Sequence, residues 1–338
     1  MTTAPTNPAR RRLLKPLAAT LIAPALASLG GLQPASAQTS TFPSKPLRIV
    51  VPFAPGGPTD LMARALSKTL SQSLGQPVIV DNKPGGGGVI GLGEVLKAQA
   101  DGYTLAFPSI LAVTNPALMP TYPFDILRDF APLTVVGFIP HALVVRPDLP
   151  IKTLTELVAL AKDKPDTVTY ASSGNGTSAH LAGAMFADRA GIRVTHVPYR
   201  GAGPAMQDLL GGQVTYMFLD MSSALAQIKA GKLRALAIAP ARRISALPDV
   251  PTIAEQGYPG YDIHAWYGLL VRAGTPAVAV QRLYEDVRRA LESPEIRDLF
   301  RAQGIEPGGM PPAEYGQLIR DDLAQWKRVV NKLNIKMD

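Results

Sequence analysis

An apolar run at residues 47–51 is followed directly by a turn rich in proline and glycine at 52–58, and then by a helical repeat from Thr59. Consecutive β-branched residues in the run predict a buried parallel strand. The prolines lack an N–H and the two adjacent glycines favour unusual dihedral angles, so the turn cannot continue a β-ladder. Gly75 is typical of a helix end. The predicted strand, turn and helix can hold a small anion on backbone N–H groups, although an ordinary tight turn explains this segment alone equally well.

The first 37 residues follow the order of a secretory signal peptide. A basic cluster precedes an apolar stretch and the small residues Ala35-Ser-Ala37, so we expect cleavage after Ala37 and a mature protein in the periplasm. The pair Arg10-Arg11, followed by Lys15, also resembles a twin-arginine export signal. The chain contains no cysteine, which excludes any disulfide and a lipoprotein anchor, because that anchor is attached to a cysteine.

Composition argues against nucleic acid as a partner. Removing residues 1–37 removes four basic residues and no acidic one, which lowers the net charge from +8 to +4. No stripe of basic residues interleaved with aromatic ones follows in the sequence, and no other apolar run reaches membrane length. The 301 residues that remain are about twice the usual domain size, which suggests two compact lobes.

The order of predicted strands and helices supports a two-lobed α/β fold. Alternation of the two at 47–107 predicts a parallel sheet flanked by helices, and the alternation resumes after residue 154. Long apolar segments at 130–145 and 261–272 are suited to two crossings between lobes. We predict an α/β fold of two lobes, each lobe a mainly parallel sheet flanked by helices, with the ligand cleft between the lobes. The expected boundaries are 42–140 plus 262–338 for lobe 1 and 141–261 for lobe 2.

Two further glycine-rich turns, at 172–178 and 199–204, follow predicted strands as the first turn does. Ligands of open parallel sheets bind beyond the carboxyl ends of the strands, where such turns lie. Three turns of this kind favour an anion site over three ordinary connections. In such a site Arg200 could attract a carboxylate and Asp60 could shape or repel it, while Tyr199 and Phe53 would close over an apolar ligand body.

Cofactor and metal sites receive little support. Residues 86–91 match the pattern G-x-G-x-x-G, but the match stands four residues after its predicted strand and no acidic residue follows the next strand to bind a ribose. The four histidines (His141, His180, His196 and His264) are far apart, with no second ligand at metal-binding spacing. We expect no cofactor and no metal.

A serine hydrolase is the alternative function. Ser172 or Ser173, His180 and Asp220 could meet in the predicted cleft, and such an enzyme would cleave a small carboxylate-bearing ester. No G-x-S-x-G elbow surrounds either serine, and His180 falls in the first turn of a predicted helix, where packing or capping explains it equally well.

Four ordered motifs together resemble the periplasmic solute receptors of tripartite tricarboxylate transporters, the Bug-type receptors. The motifs are Pro52-Phe-Ala-Pro-Gly-Gly-Pro-Thr-Asp60, Val80-Asp-Asn-Lys-Pro-Gly-Gly-Gly-Gly88, Ala171-Ser-Ser-Gly-Asn-Gly-Thr-Ser-Ala-His-Leu181 and Val197-Pro-Tyr-Arg-Gly-Ala-Gly-Pro-Ala205. The resemblance extends over the mature chain, including 247–257 and 266–270. It implies a two-lobed periplasmic binding protein of type II-like architecture without catalysis. In that family the first turn and the turn at 199–204 hold a ligand carboxylate through main-chain N–H groups, hydroxyls and bridging waters.

One departure from the family lies at 107–111, where glycine and threonine are frequent and this chain has Phe107-Pro-Ser-Ile-Leu111. It predicts a more apolar distal pocket with Ser109 as the remaining hydroxyl. The resemblance implies a monomer that binds a small organic acid (a mono-, di- or tricarboxylate, an aromatic acid or an acidic amino acid) for uptake or sensing, with transporter membrane subunits or a sensor as its partner. The predicted ligand-binding residues are Phe53, Ala54, Pro55, Gly56, Gly57, Thr59, Asp60, Ser109, Ser172, Gly174, Gly176, Thr177, Ser178, His180, Tyr199, Arg200, Gly201, Gly203, Pro204, Ala205 and Asp220.

Overall fold

The structure is a computed structural model that describes residues 42–119, 121–333 and 335. The predicted signal peptide and its cleavage site lie outside the described residues and stay predictions. The described β-strands are β1 (Leu47–Val51), β2 (Val78–Asn82), β3 (Thr104–Ala106), β4 (Phe130–Val145), β5 (Thr169–Ser172), β6 (Thr195–Pro198), β7 (Tyr216–Asp220), β8 (Arg234–Ile238), β9 (His264–Arg272) and β10 (Glu306–Pro307).

The described α-helices alternate with these strands over most of the chain. They are α1 (Pro58–Leu74), α2 (Val89–Lys97), α3 (Leu111–Leu118), α4 (Ile126–Asp129), α5 (Leu154–Asp163), α6 (Ser178–Ala190), α7 (Ala202–Gly211), α8 (Met221–Lys229), α9 (Ala277–Glu292), α10 (Pro294–Ala302) and α11 (Pro312–Leu333). Short 3-10 turns lie at Gly86–Gly88 and Ala254–Gln256. Searched over the same described residues, none of the helices combines the length and the apolar character that a membrane crossing needs.

The sheet is mixed, in the order β2-β1-β3-β9-β4-β7-β5-β6, with β8 and β10 also paired to β4. Each lobe contains three parallel strands: β2, β1 and β3 in one, and β6, β5 and β7 in the other. The prediction of mainly parallel sheets is thus right for these strands. The crossing strands β4 and β9 add antiparallel pairs, because the chain reverses direction each time it passes between the lobes.

Strand β4 carries the chain from one lobe to the other, as its length of 16 residues predicted. Its sheet partners change between two consecutive residues. Pro140 pairs with His264 of β9, whereas His141 pairs with Asp220 of β7. The return crossing lies beside this point, because Ile263 N–H donates to the Ala239 carbonyl at 3.2 Å and the following residue is already in β9. Both crossings therefore meet at one level of the sheet.

The first helix ends where the sequence predicted and begins one residue before the predicted start at Thr59. Gly57 is its N-cap residue, Pro58 is the first helical residue, and Gly75 ends it in the left-handed conformation with a φ of 64°. Leucine, methionine and alanine side chains spaced along one face of α1 are buried in the core that it shares with β1. This packing fixes the start of α1 at the carboxyl end of β1.

Three helices were not predicted: α3, α4 and α10. Helix α3 is buried on more than one face and packs against α11, so its sequence lacks an amphipathic period, and it contains Pro116, which is unfavourable in a helix interior. Helix α4 has four residues, too few to show a helical period. Helix α10 follows α9 after the single residue Ser293, whose hydroxyl caps it by accepting from Ile296 N–H at 3.4 Å. A break this short is not visible in the amphipathic pattern.

Candidate functional site

A cavity of about 280 Å³ lies where the three glycine-rich turns meet the crossing strands. One side, the turn wall, is made by the starts of α1, α6 and α7: Gly57, Pro58, Thr59, Ser173, Thr177, Ser178, Ala179 and Ala202. The other side, the strand wall, comes from β4, β7 and β9: His141, Met217, Phe218, Asp220, Ala265 and Tyr267. Phe53, Ser109, Ile110 and Leu111 complete the lining.

Seven of the predicted ligand-binding residues line this cavity: Phe53, Gly57, Thr59, Ser109, Thr177, Ser178 and Asp220. The others lie in the same turns and helices, outside the lining: Ala54, Pro55, Gly56, Asp60, Ser172, Gly174, Gly176, His180, Tyr199, Arg200, Gly201, Gly203, Pro204 and Ala205. The structure therefore brings all three predicted turns to one cavity.

The Asp60 carboxylate stabilises the first turn. It accepts hydrogen bonds from Gly56 N–H at 3.0 Å, Arg64 Nε at 2.8 Å and Asn82 Nδ2 at 3.0 Å. The hydrogen bond from Arg64 is the main cause of a lowered pKa at Asp60, and burial opposes it. The Asp60 side chain is 5% exposed, directed to these three donors and outside the lining, and its effect on a ligand stays a prediction.

Gly57 lines the cavity with an extended backbone, at φ −82° and ψ 174°. The expected unusual dihedral angle is found at the preceding residue, Gly56, whose φ is +90°. Because Pro58 has no N–H, the first free donors of α1 belong to the residues after it, beginning with Thr59, which is 4% exposed. These N–H groups open onto the cavity side of the helix start.

The second turn is stabilised by side chains that also cap α6. Thr177 is the N-cap residue: its hydroxyl accepts from His180 N–H at 3.4 Å and donates to the Gly174 carbonyl at 2.7 Å. Gly174 has a φ of +135°, which excludes an L side chain without strain. Ser178 begins the helix and lines the cavity.

The third turn is bound to the second, because Gly201 N–H donates to the Ser173 carbonyl at 3.1 Å. It contributes Ala202 to the lining. Tyr199 lies outside the lining: its hydroxyl donates to Asp208 Oδ2 at 2.7 Å, and its ring packs against the core that includes Ala205 and Leu209 of α7. Its closure over a ligand stays a prediction. Arg200 is exposed to solvent and lies outside the lining.

His141 and Asp220 lie opposite each other on β4 and β7 and form the polar part of the strand wall. The Nε2 atom of His141 is 3.1 Å from Ser178 Oγ, and its buried Nδ1 atom has no partner among the described residues. Burial lowers the pKa of His141 to about 4, although the Asp220 carboxylate opposes this. His141 is therefore neutral at pH 7.

Sequence reasoning treated His141 only as an isolated histidine without metal-binding spacing. It did not identify Met217, Phe218, Ala265 or Tyr267 as lining residues. Their place in the cavity follows from antiparallel pairing between strands far apart in the chain, which leaves no local pattern. Pro58, Ala179 and Ala202 could have been found, since each is a residue of the first turn of a helix after a predicted glycine-rich turn.

The proposed catalytic serine, histidine and aspartate do not form a triad. Ser172 is fully buried, and its Oγ is 2.7 Å from Nε2 of His196. His180 accepts from Gly176 N–H at Nδ1, at 3.1 Å. Asp220 caps α8 by accepting from Ser223 N–H at 3.0 Å. The contact of Ser178 with His141 also lacks an orienting acid, since Nδ1 of His141 has no partner among the described residues.

His180 and His196 stack with ring centroids 3.9 Å apart and planes 3° apart. Tyr170 stacks on the far face of this pair, and Tyr216 stacks on Tyr170. Burial lowers the pKa of His180 to about 4. Burial, with His180 as a neighbour, lowers the pKa of His196 to about 3. This column of four rings packs behind the second turn and requires both imidazoles to be neutral.

We expect the free energy of unfolding to fall as the pH falls from 7 to 5. The unfolded chain binds a proton at His180 near pH 6.5, whereas the folded chain does so only near pH 4, so the stabilisation is complete above pH 6.5 and is lost below it. His180 alone accounts for about 1 to 2 kcal/mol at pH 5. Urea unfolding at both pH values measures the loss.

The matched variant is His180→Phe, which keeps an aromatic ring and removes the titrating group. It leaves Gly176 N–H without an acceptor, a cost that is the same at both pH values. We expect this variant to lose less free energy of unfolding between pH 7 and pH 5 than the unmodified protein, by the amount that His180 contributes. An unchanged loss in this variant would refute the assignment.

The described lining of the cavity combines three helix N-termini with no cationic side chain. Among the described residues that line it there is no lysine and no arginine. The starts of α1, α6 and α7 supply N–H groups that have no partner within their helices, and the helix dipole adds a partial positive charge at each. Three helix N-termini at one cavity of this size can bind a small anion. Within the described residues, no group of three or more histidine, aspartate or glutamate side chains could hold a metal ion.

The sequence matches a known protein family over most of its length. The family described as "Tripartite tricarboxylate transporter family receptor" matches residues 62–335. Protein BugT of Bordetella pertussis is 40% identical over 314 residues, which cover 92% of this chain and 96% of BugT.

Two solved structures are similar over the whole of their own chains. The first is Rpa4515 of R. palustris with adipate, at 33% identity and a TM-score of 0.77, covering 88% of this chain and 100% of that one. The second is MatC (Rpa3494) from Rhodopseudomonas palustris with bound malate, at 33% identity and a TM-score of 0.72, covering 86% of this chain and 100% of that one.

Proposed function

The chain belongs to the tripartite tricarboxylate transporter family of receptors, and from this membership we propose that it binds a small carboxylate-bearing organic acid in the cavity between its lobes. The observation that carries the proposal is the meeting of three helix N-termini at one cavity that has no cationic lining residue among those described. Rpa4515 with adipate and MatC with malate are related proteins whose ligands carry carboxylates.

The ligand carboxylate binds at the turn wall in this proposal. Backbone N–H groups after Pro58 approach it from α1, and those of Ala179 and Ala202 approach it from α6 and α7. The hydroxyls of Thr59 and Ser178 add side-chain donors. Because α1 lies in one lobe and α6 and α7 lie in the other, a bound carboxylate joins the two lobes and favours a closed cleft. The proposed lobes are 42–140 with 262–338, and 141–261.

The proposal also covers location and partners. We propose that the mature protein is periplasmic after removal of residues 1–37, that it acts as a monomer, and that it delivers its ligand to the membrane subunits of a transporter or reports it to a sensor. We propose that the ligand is released unchanged, because the serines near the cavity lack a histidine oriented by an acid among the described residues.

A thermal-shift screen of carboxylic acids, followed by calorimetry of the acid that stabilises most and of its methyl ester, tests the proposal. At a hundred times its Kd the acid should raise the free energy of unfolding by about 2.7 kcal/mol. The ester should bind at least about tenfold more weakly, because it leaves helix N–H groups unpaired in a closed cleft. Lys229→Ala, an exposed change at the end of α8, should leave both affinities unchanged.

Equal affinity for acid and ester would contradict the carboxylate site. Mass spectrometry of the same samples after prolonged incubation shows whether the ligand is chemically changed. A product whose formation is abolished by Ser173→Ala or Ser178→Ala would favour the hydrolase instead.

A further inference from the structure

We infer that the end of the ligand remote from its carboxylate is a hydrogen-bond donor, a hydroxyl or an ammonium group, and not a second carboxylate. The inference rests on the proposed function and names the class of acid that the same cavity selects. It is carried by the strand wall, where Asp220 places an acidic side chain and the described lining residues include no basic side chain to neutralise it.

Asp220 places a carboxylate in the lining without a basic side chain to neutralise it. Its acceptors are used in part by the start of α8: Ser223 N–H donates to Oδ1 at 3.0 Å, and Ser223 Oγ donates to Oδ2 at 3.3 Å. Among the described lining residues it is the one charged group, since His141 is neutral. A second ligand carboxylate beside it would meet a like charge in a partly enclosed cavity, which costs free energy.

His141 adds a neutral imidazole to the same wall. It is 3% exposed, and its Nε2 atom is bonded to Ser178 Oγ. A neutral imidazole does not offset the negative charge of Asp220.

Tyr267 completes the wall from β9. Burial raises the pKa of its hydroxyl, and the negative charge of Asp220 raises it further. The wall thus presents a carboxylate, a neutral imidazole and a neutral hydroxyl. A donor at the far end of the ligand can pair with the carboxylate and with the hydroxyl, whereas a carboxylate would meet the like charge of Asp220.

The contrast with the turn wall defines the orientation of the ligand. The turn wall presents helix N–H groups, which are donors and attract negative charge. The strand wall presents acceptors and one negative charge. A hydroxy acid or an amino acid with its two groups at opposite ends of the molecule complements both walls, and a dicarboxylate complements one.

Calorimetry with matched straight-chain acids of four to six carbons tests the inference. Each length is measured with a methyl, a hydroxyl, an ammonium or a carboxylate group at the far end; butyrate, 4-hydroxybutyrate, 4-aminobutyrate and succinate form the shortest set. For the length that binds best, we expect the hydroxy or amino acid to bind at least about tenfold more tightly than the diacid.

Asp220→Asn is the decisive variant, because asparagine caps a helix as well as aspartate and removes only the charge. The variant should reduce or reverse the difference in affinity between the amino acid and the diacid. We expect the amino acid to bind about tenfold more weakly and the diacid about tenfold more tightly. Asp208→Asn is the matched control, since Asp208 bonds Tyr199 outside the lining. It should leave the order unchanged.

A diacid that binds most tightly in the unmodified protein, or an order that Asp220→Asn does not change, would overturn the inference and leave the receptor function intact. Loss of diacid binding in Arg200→Gln would do the same by identifying a cation for the second carboxylate. If none of the acids binds, including the monoacids, the proposed function fails and this inference fails with it.

Discussion

Replacing Gly57 by valine is expected to lower the affinity for a carboxylate ligand by at least about a hundredfold while leaving the fold intact. The φ of −82° at Gly57 suits any residue, and an added Cβ would have its nearest neighbour, the Ala54 carbonyl oxygen, 4.0 Å away. The side chain would therefore extend into the cavity in front of the first N–H groups of α1. A hundredfold loss is about 2.7 kcal/mol, the size of one or two hydrogen bonds to a charged group.

Calorimetry with the ligand found by thermal shift measures this loss, and urea unfolding checks the fold. Gly211→Val is the matched control, because Gly211 ends α7 with no atom within 4 Å of an added Cβ. It should bind as the unmodified protein does. Normal affinity in a correctly folded Gly57→Val protein would show that the anion does not bind at the start of α1.

Gly183→Ala is expected to lower the free energy of unfolding by about 2 kcal/mol. A Cβ at this position of α6 would overlap the ring of Tyr170, coming to 2.8 Å from Cζ. That ring cannot withdraw freely, since it lies between His196 at 4.7 Å and Tyr216 at 5.6 Å. Overpacking costs about 1 to 3 kcal/mol or more, and the better helix propensity of alanine returns up to about 1 kcal/mol.

Urea unfolding of the purified variant measures this change. Gly211→Ala makes the same substitution near the end of α7, where nothing lies near the new methyl group, and should be neutral or slightly stabilising. A Gly183→Ala protein with an unchanged urea midpoint would show that the ring column can adjust around the methyl group.

The features that sequence predicted well are those encoded within short segments. The strand, turn and helix at β1 and α1 follow from β-branched residues, glycines and a helical period, each of which acts locally. The length of β4 marked the crossing between lobes for the same reason. The turn wall of the cavity was therefore within reach, because it is made from the ends of such segments.

The strand wall was out of reach because its residues meet through pairing between distant parts of the chain. Nothing near His141 indicates that Asp220 will lie opposite it, and nothing near Gly183 indicates that Tyr170 fills the space a side chain would need. For Asp60 and Tyr199, the sequence indicated the turn correctly but not the direction of the side chain. Both lie in turns that reach the cavity, but each side chain has a hydrogen-bond partner outside it.

The placement of β9 affects the order in which the chain can fold. Strand β3 pairs with β1 on one side and with β9 on the other, and the whole segment 107–263 separates β3 from β9 in the sequence. During synthesis, β1, β2 and β3 can assemble long before β9 emerges from the ribosome, which leaves β3 as an unpaired edge. Strands β5, β6 and β7 lie close together in the sequence, so they can pair with one another soon after they are synthesised. Until β9 arrives, the free edge of β3 is the part of this sheet that is most exposed to mispairing.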